Sequence, residues 1–310
     1  MQAFLLKSPV KDYIWGGDAL KQRWGKQADG NIAESWEFSL YKGMESVAAT
    51  GPSAGMSLSA IREKAPEVFG EKVKEFPLFP LLIKLIDAKS DLSIQVHPTD
   101  FYALTHAAEL GKTEMWYIAE ATEDAAIYYG FARETTREEV EKRIQEGTIC
   151  EILKRIPVKC GDCFFVKAGT VHAILAGVTV FEVQESSNLT YRLYDYNRKD
   201  ANGNLRELHV EKALEVMKFA PATEKKQEDR QDFKGFSVKK LASCNYFTVS
   251  EYRVSESVKL GQDGCFGTFT VLDGTAKMGD LSLKKGDTVL IPAGEYETVT
   301  GNCALLYTTI

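Results

Sequence analysis

Gly161-Asp162-Cys163-Phe164-Phe165-Val166-Lys167-Ala168-Gly169-Thr170-Val171-His172 is the stretch on which the fold turns. Turn residues open it at Gly161 and Asp162, a β-prone apolar run follows from Cys163 to Val166, and a second turn falls at Ala168-Gly169. A histidine then stands at the start of the next apolar run, Val171 to Leu175. Strand, tight turn and strand with an imidazole at the turn is how a small β-barrel places a metal ligand at its mouth. The phrase recurs as Gly286-Asp287-Thr288-Val289-Leu290-Ile291-Pro292-Ala293-Gly294-Glu295-Tyr296-Glu297, matching at the turn glycines, the Asp, the Ala and the apolar positions. In the second copy Glu297 stands where the first has His172. The expectation is one barrel with a site followed by one without.

The spacing resembles the second sequence motif of the cupins, in which a Gly, a Pro, a further Gly and a His follow at fixed intervals. The first copy departs from it only at Lys167, where the family usually has Pro; the second keeps Pro292 and loses the histidine. The resemblance implies a mainly β chain of two cupin-type jelly-roll barrels, with a few helices inserted in and between them. Composition sets the division: a polar, charge-rich stretch from Thr223 to Lys234 reads as a linker. The expected units are a metal-binding domain over residues 1–225, a linker over 226–235, and a degenerate barrel without a metal site over 236–310.

With 310 residues, 44% of them hydrophobic and 26% charged, the chain can build a substantial core. A net charge of −6 without any basic tract argues against nucleic acid as a partner. The N-terminal residues lack the charged and apolar regions of a signal peptide, and no apolar run reaches membrane-spanning length. A cytoplasmic protein without a membrane partner is expected, and its six cysteines suit reduced thiols there. Cys160 and Cys163 form a Cys-x-x-Cys, but no second pair completes a zinc ribbon and the pair opens a strand instead of a helix.

Along the chain, residues 1–50 read as irregular with short strands, and Ser57 caps a short helix that continues loosely over Val68 to Phe76. Phe79 to Ala88 is a buried strand by its apolar run, with Lys84 either an edge lysine or a functional one. In Leu92-Ser93-Ile94-Gln95-Val96-His97, Ser93, Gln95 and His97 share one strand face, a row that lines a cavity if the sheet closes on itself. Glu114 begins the strand after the helix of Thr99 to Gly111, and Thr190, Arg192, Tyr194 and Tyr196 share a face of a later strand. His106 and His209 fall on helices and read as surface or packing residues. His97 and His172, with Glu114 and Gln95, form a mixed nitrogen and oxygen donor set that suits one divalent metal: zinc first, with manganese, iron or cobalt as alternatives. Gln95 is the weakest member, since its amide can serve instead to orient a ligand.

Four ordered motifs narrow the resemblance. Leu81 to Ala88, Leu92 to Pro98 with Gln95-Val96-His97-Pro98, Lys112 to Trp116, and Ala168 to Ala173 look like class I mannose-6-phosphate isomerases, in the short bacterial form. The likeness covers most of residues 1–200. It implies metal ligands Gln95, His97, Glu114 and His172, an active-site arginine at Arg192, and Ser93, Lys84 and Lys112 near the bound sugar phosphate. The implied activity is interconversion of mannose 6-phosphate and fructose 6-phosphate, moving a proton between C1 and C2 through an enediolate, by a monomer or homodimer.

The chemistry of these residue types agrees. A divalent metal polarises carbonyl and hydroxyl oxygens, and Arg192 with the lysines can stabilise an oxyanion or hold a phosphate. Glu185, Asp195, a metal-bound water and a neutral histidine all remain open as the general base. Two other readings are an isomerase acting on another sugar phosphate, such as glucose 6-phosphate, and a sugar-binding cupin without catalysis.

Overall fold

In a computed structural model, which describes residues 2–199, 203–223 and 228–310, the chain is built from three antiparallel sheets. Two of them face each other over residues 10–194. The six-stranded sheet runs, in spatial order, through Cys163–Val166, Glu114–Ala121, Val178–Glu185, Leu81–Ala88, Glu34–Phe38 and Val10–Lys11. The five-stranded sheet runs through Tyr191–Tyr194, Ile94–Val96, His172–Ile174, Ala126–Phe131 and Leu153–Pro157.

Strand parity decides what each face does. Ile86, Trp116, Ile118, Val178 and Val180 of the first sheet meet Ile127, Tyr129 and Ile174 of the second, filling the space between the sheets. The alternate residues Leu81, Ile83, Leu85, Met115, Tyr117, Phe181 and Val183 face outward onto the third sheet. With both faces covered, Leu81–Ala88 and Val178–Glu185 are buried at every position; the first reads as a nearly continuous apolar run, while the second buries Thr179, Glu182, Gln184 and Glu185 among its apolar residues. Each such aliphatic or aromatic side chain contributes roughly 1.5–3 kcal/mol of burial free energy, which is the margin that carries the few charged residues placed among them. The outer face of the five-stranded sheet is covered by the helices Arg137–Gln145 and Val210–Val216 through Val140, Ala213 and Leu214.

The third sheet has ten strands. Its main path runs Gln231–Phe233, Phe236–Ser243, Thr248–Val254, Tyr296–Thr309, Gly267–Met278, Thr288–Ile291, Phe4–Lys7 and Val47–Ala48. Within it Val254, Phe269, Val271, Val289, Val299 and Leu305 form a separate core. The N-terminal strand Phe4–Lys7 thus belongs to the C-terminal sheet, pairing Phe4 with Leu290 and Leu6 with Thr288. The linker expected over 226–235 is shorter: residues 226 and 227 lie outside the described residues, and Gln231–Phe233 pairs with Phe236–Ser243 as an exposed edge strand. Its polar composition reflects that exposure.

The duplicated phrase folds twice in the same way. Gly161 and Gly286 have φ of 89° and 87°, and Gly169 and Gly294 have φ of 85° and 78°, the left-handed region in which a glycine pays no Cβ penalty. Asp162 and Asp287 each accept a hydrogen bond from the backbone N–H three residues earlier, at 2.9 Å in both copies. Two local expectations change. Val68 to Phe76 forms the separate 3-10 turns Pro66–Val68 and Lys72–Glu75, broken at Gly70 with φ 80°. Tyr196 has φ 57° and has left the strand that carries Arg192. No helix among the described residues is long and apolar enough to cross a membrane.

Candidate metal and substrate site

Three side chains from three strand ends converge between the facing sheets. His97 follows the strand Ile94–Val96, Glu114 opens Glu114–Ala121, and His172 opens His172–Ile174. All three are buried, and their ligand atoms lie within 4.8 Å of one another. The turn before His172 ties the set together: the Gly169 N–H donates to the His97 carbonyl at 2.8 Å. The row Ser93, Gln95 and His97 faces inward as its parity requires, and Gln95 pairs in register with His172 on one side and Arg192 on the other.

The imidazoles are oriented by backbone acceptors. His97 Nδ1 lies 2.9 Å from the Leu189 carbonyl oxygen and His172 Nδ1 lies 2.8 Å from that of Thr170. A carbonyl only accepts, so each ring carries its proton on Nδ1 and presents the Nε2 lone pair to the site. The two Nε2 atoms are 3.2 Å apart, and Glu114 Oε1 is 3.3 Å from that of His172. Burial first, then the Lys112 ammonium, holds His97 well below the ordinary histidine value and His172 down to about 3. Both rings are therefore neutral, each with a lone pair turned to the site. Glu114 Oε1 is buried without a hydrogen-bond donor. Two lone pairs and a bare carboxylate oxygen aimed at one point are a donor set for a divalent cation. The Gln95 amide reaches the same point, its terminal nitrogen 3.4 Å from His172 Nε2, and half a turn about its last bond exchanges that nitrogen for the oxygen.

Beside the donors lies a pocket of about 230 Å³ lined by Tyr13, Trp15, Glu34, Lys84, Gln95, Lys112, Glu182, Thr190, Arg192 and Arg206, among others. A larger cleft of about 780 Å³, with Trp24, Tyr117, Phe236 and Glu251 in its walls, contains no histidine, so the chemistry belongs to the smaller one. Lys112 and Lys84 are buried in the small pocket's wall. Lys112 Nζ bonds Glu114, stands 3.2 Å from His97 Nε2 and is 3.6 Å from Glu182. Lys84 Nζ is 3.7 Å from Glu34 and 3.8 Å from Glu182. Burial opposes the charge on Lys112, but Glu114 and Glu182 outweigh it and raise its pKa above the ordinary lysine value. Burial likewise opposes the charge on Glu182, and Lys112 with Lys84 outweigh it, leaving Glu182 below the usual carboxylate range.

Arg192 stands at the outer end. Its Nε donates to Ser93 at 3.2 Å and its Nη1 to the Glu207 carbonyl at 2.7 Å. Ser93 is itself buried behind that guanidinium. The two carboxylates considered as bases lie elsewhere: Glu185 faces the opposite side of its strand and accepts from the Thr113 N–H at 2.6 Å, while Asp195 is held by Arg198 and Arg206. Glu34 and Glu182 line the pocket instead, and the sequence reading assigned them no role. The legible signal for Glu182 was a charge inside a strand buried on both faces, matching Lys84 inside another; the two pair in register. Cys160 is exposed, and burial pushes the Cys163 thiol up to about 12, so this Cys-x-x-Cys offers no thiolate pair.

The family model "Phosphomannose isomerase type I, catalytic domain" matches residues 3–113, and "Mannose-6-phosphate isomerase, cupin domain" matches residues 237–310. Mannose-6-phosphate isomerase ManA of Bacillus subtilis (strain 168) is 40% identical over 298 residues, covering 94% of each chain. Mannose-6-phosphate isomerase of Streptococcus mutans is 37% identical over 299 residues, covering 94% of this chain and 92% of its own. The crystal structure of a Bacillus subtilis mannose 6-phosphate isomerase superposes with a TM-score of 0.92 at 36% identity over the whole of both chains. A zinc-bound mannose 6-phosphate isomerase shares the fold at a TM-score of 0.79 and 17% identity, over 99% of each chain.

Proposed function

This chain belongs to the type I mannose-6-phosphate isomerases, and from that premise we propose how its own residues interconvert mannose 6-phosphate and fructose 6-phosphate. The observation that carries the reading is the convergence of His97 Nε2, His172 Nε2 and the unpartnered Glu114 Oε1 beside a pocket walled by charged groups. His97, Glu114 and His172, with the Gln95 amide oxygen, would hold one divalent cation, and zinc suits two imidazoles and a carboxylate best. When bound, the cation supplies Lewis-acid polarisation of the sugar oxygens at C1 and C2.

Proton movement falls to Glu182 and Lys112. Glu182, kept ionised by the two lysines, takes the proton from C2 of the open-chain aldose, and the electron pair passes to O1 as the enediolate forms. Returning that proton to C1, while the hydroxyl proton passes from O2 to O1, gives the ketose. Lys112 serves the oxygen transfer, since its ammonium stands between Glu182 and the ligand cluster. Tyr13 and Trp15, stacked with centroids 5.3 Å apart, wall the pocket on one side. Ser93 acts behind Arg192, fixing its guanidinium for an anionic substrate. In this reading residues 1–225 are the catalytic unit apart from the strands Phe4–Lys7 and Val47–Ala48, which join residues 236–310 in the sheet that covers it, and the protein is cytoplasmic.

Fructose 6-phosphate formation from mannose 6-phosphate is measured on protein as purified, after chelation, and after zinc or manganese is returned. Activity that vanishes and returns with metal supports the reading; tight metal binding without turnover overturns it. Glu182→Gln is expected to lower kcat by about 100-fold or more while metal content stays that of wild type.

A further inference from the structure

A hexose 6-phosphate brings its negative charge at the end of the chain remote from C1 and C2, so the pocket's cations matter by how much charge they have left. Lys84 and Lys112 are already shared among Glu34, Glu114 and Glu182. At the outer end the balance reverses. Arg192 donates to a hydroxyl and a carbonyl, neither of which carries a charge. Arg206 and Arg198 share one buried carboxylate, Asp195.

Two further observations place Arg206. It lines the inner pocket, and with Tyr13 it also lines the outer depression formed with Asp12, Ile14 and Asn31, so these two side chains are the doorposts between solvent and site. The segment carrying Arg206 is also stitched to the strand of Arg192. The Glu207 carbonyl holds Arg192 Nη1, the His209 N–H donates to the Arg192 carbonyl at 2.7 Å, and the Arg192 N–H donates to His209 Nδ1 at 3.3 Å. Arg192 itself pairs in register with the ligand Gln95. The order from the candidate metal donors outward is therefore Gln95, Arg192, Arg206, the direction in which a sugar chain with C1 and C2 beside the donors would extend.

We propose that Arg206 binds the substrate's phosphate, completing with Arg192 a two-guanidinium seat at the pocket mouth. Asp195 positions it through the 3.3 Å contact to Nη1. The proposal rests on the isomerase reading above and names a residue which that reading does not require. Two guanidiniums suit a phosphate dianion because each presents paired N–H donors to its oxygens.

The test is steady-state kinetics with mannose 6-phosphate on zinc-loaded wild type, Arg206→Ala and Arg206→Lys, with metal content and melting temperature measured on each. A contact made equally in ground and transition states predicts that KM in Arg206→Ala rises about 10- to 100-fold while kcat stays within about threefold. Arg206→Lys, which keeps the charge but loses the paired donors, should recover part of that loss and serves alone if the alanine variant unfolds. An unchanged KM in the variants overturns the proposal. So does a fall in kcat at constant KM, which would place Arg206 in the chemistry instead. Wild type without turnover defeats the isomerase reading itself, an outcome distinct from active wild type with indifferent variants.

Discussion

His97 and His172 are fixed as neutral rings by two carbonyl oxygens and a buried setting, and Lys112 is the cation that already sits beside the His97 lone pair. Removing it leaves Glu114 and Glu182 facing each other with less compensation, a change that costs about 3–5 kcal/mol for a buried pair. Lys112→Met should therefore unfold at a markedly lower temperature than wild type without metal. Zinc should raise its melting temperature by more than it raises that of wild type, because the added cation replaces the missing charge; equal zinc shifts would contradict this. Glu185 offers a pH test away from the ligands. Burial, then Asp100, pushes its carboxyl up to about 9, far above the usual unfolded value near 4.3. The folded state thus holds the proton more tightly, and the associated stability is full below about pH 4 and drains away as pH rises toward 9. Glu185→Gln, which keeps the oxygen that accepts from Thr113, should be more stable than wild type by on the order of 1–3 kcal/mol at pH 8. Urea unfolding at pH 5 and pH 8 should show the gain growing with pH. At this scale the convergence of His97 and His172 was legible, because His97 lies on the inward strand face and His172 follows a turn. Glu182 was legible only as a charge in a buried strand, and Arg206 carried no signal, since its place in the pocket wall depends on neighbours across the fold.

The element that does most for the site is the turn at Gly169. Its φ of 85° needs a glycine, a Cβ there would stand 3.0 Å from the Val216 carbonyl oxygen, and its N–H holds His97 while it aims His172. The second copy supplies the control: Gly294 has φ 78°, but a Cβ there meets nothing within 4 Å. Both alanine substitutions should cost about 1–2 kcal/mol of backbone strain. Only Gly169→Ala should also weaken zinc binding, by roughly tenfold or more, read by competition with a chromophoric chelator. Equal zinc affinity in the two variants would show that the turn merely connects strands. The repeated phrase was readable because turn chemistry is local. That Gln231–Phe233 is an edge strand was not, because a three-residue exposed strand has the composition of a linker.

For the whole molecule, the joint between the six-stranded sheet and the C-terminal sheet is held by a buried charge as well as by apolar surface. Glu37 Oε2 accepts from Lys26 at 2.6 Å, from Thr288 at 2.8 Å and from Ser8 at 2.9 Å, and Lys26 also donates to the Gly286 carbonyl at 2.7 Å. Lys26→Met should cost about 3–5 kcal/mol, whereas pairing it with Glu37→Leu should recover part of the loss; denaturant midpoints of the two variants decide this. Residues 228–310 expressed alone should aggregate, because Thr288–Ile291 loses its partner Phe4–Lys7 and exposes a paired edge. A monomeric, cooperatively unfolding fragment by light scattering and calorimetry would show that the sheet stands without it.

The pairing of Phe4–Lys7 with Thr288–Ile291 also has a temporal side. On a ribosome, the strand Phe4–Lys7 finds its neighbour only after residue 291 has emerged, on the order of 15–60 s later at ordinary elongation rates. Through that interval an apolar segment with Phe4 and Leu6, both buried at the end, is open to chaperones. The two facing sheets can assemble early, but the third sheet closes against Phe4–Lys7 only once Thr288–Ile291 is free to pair.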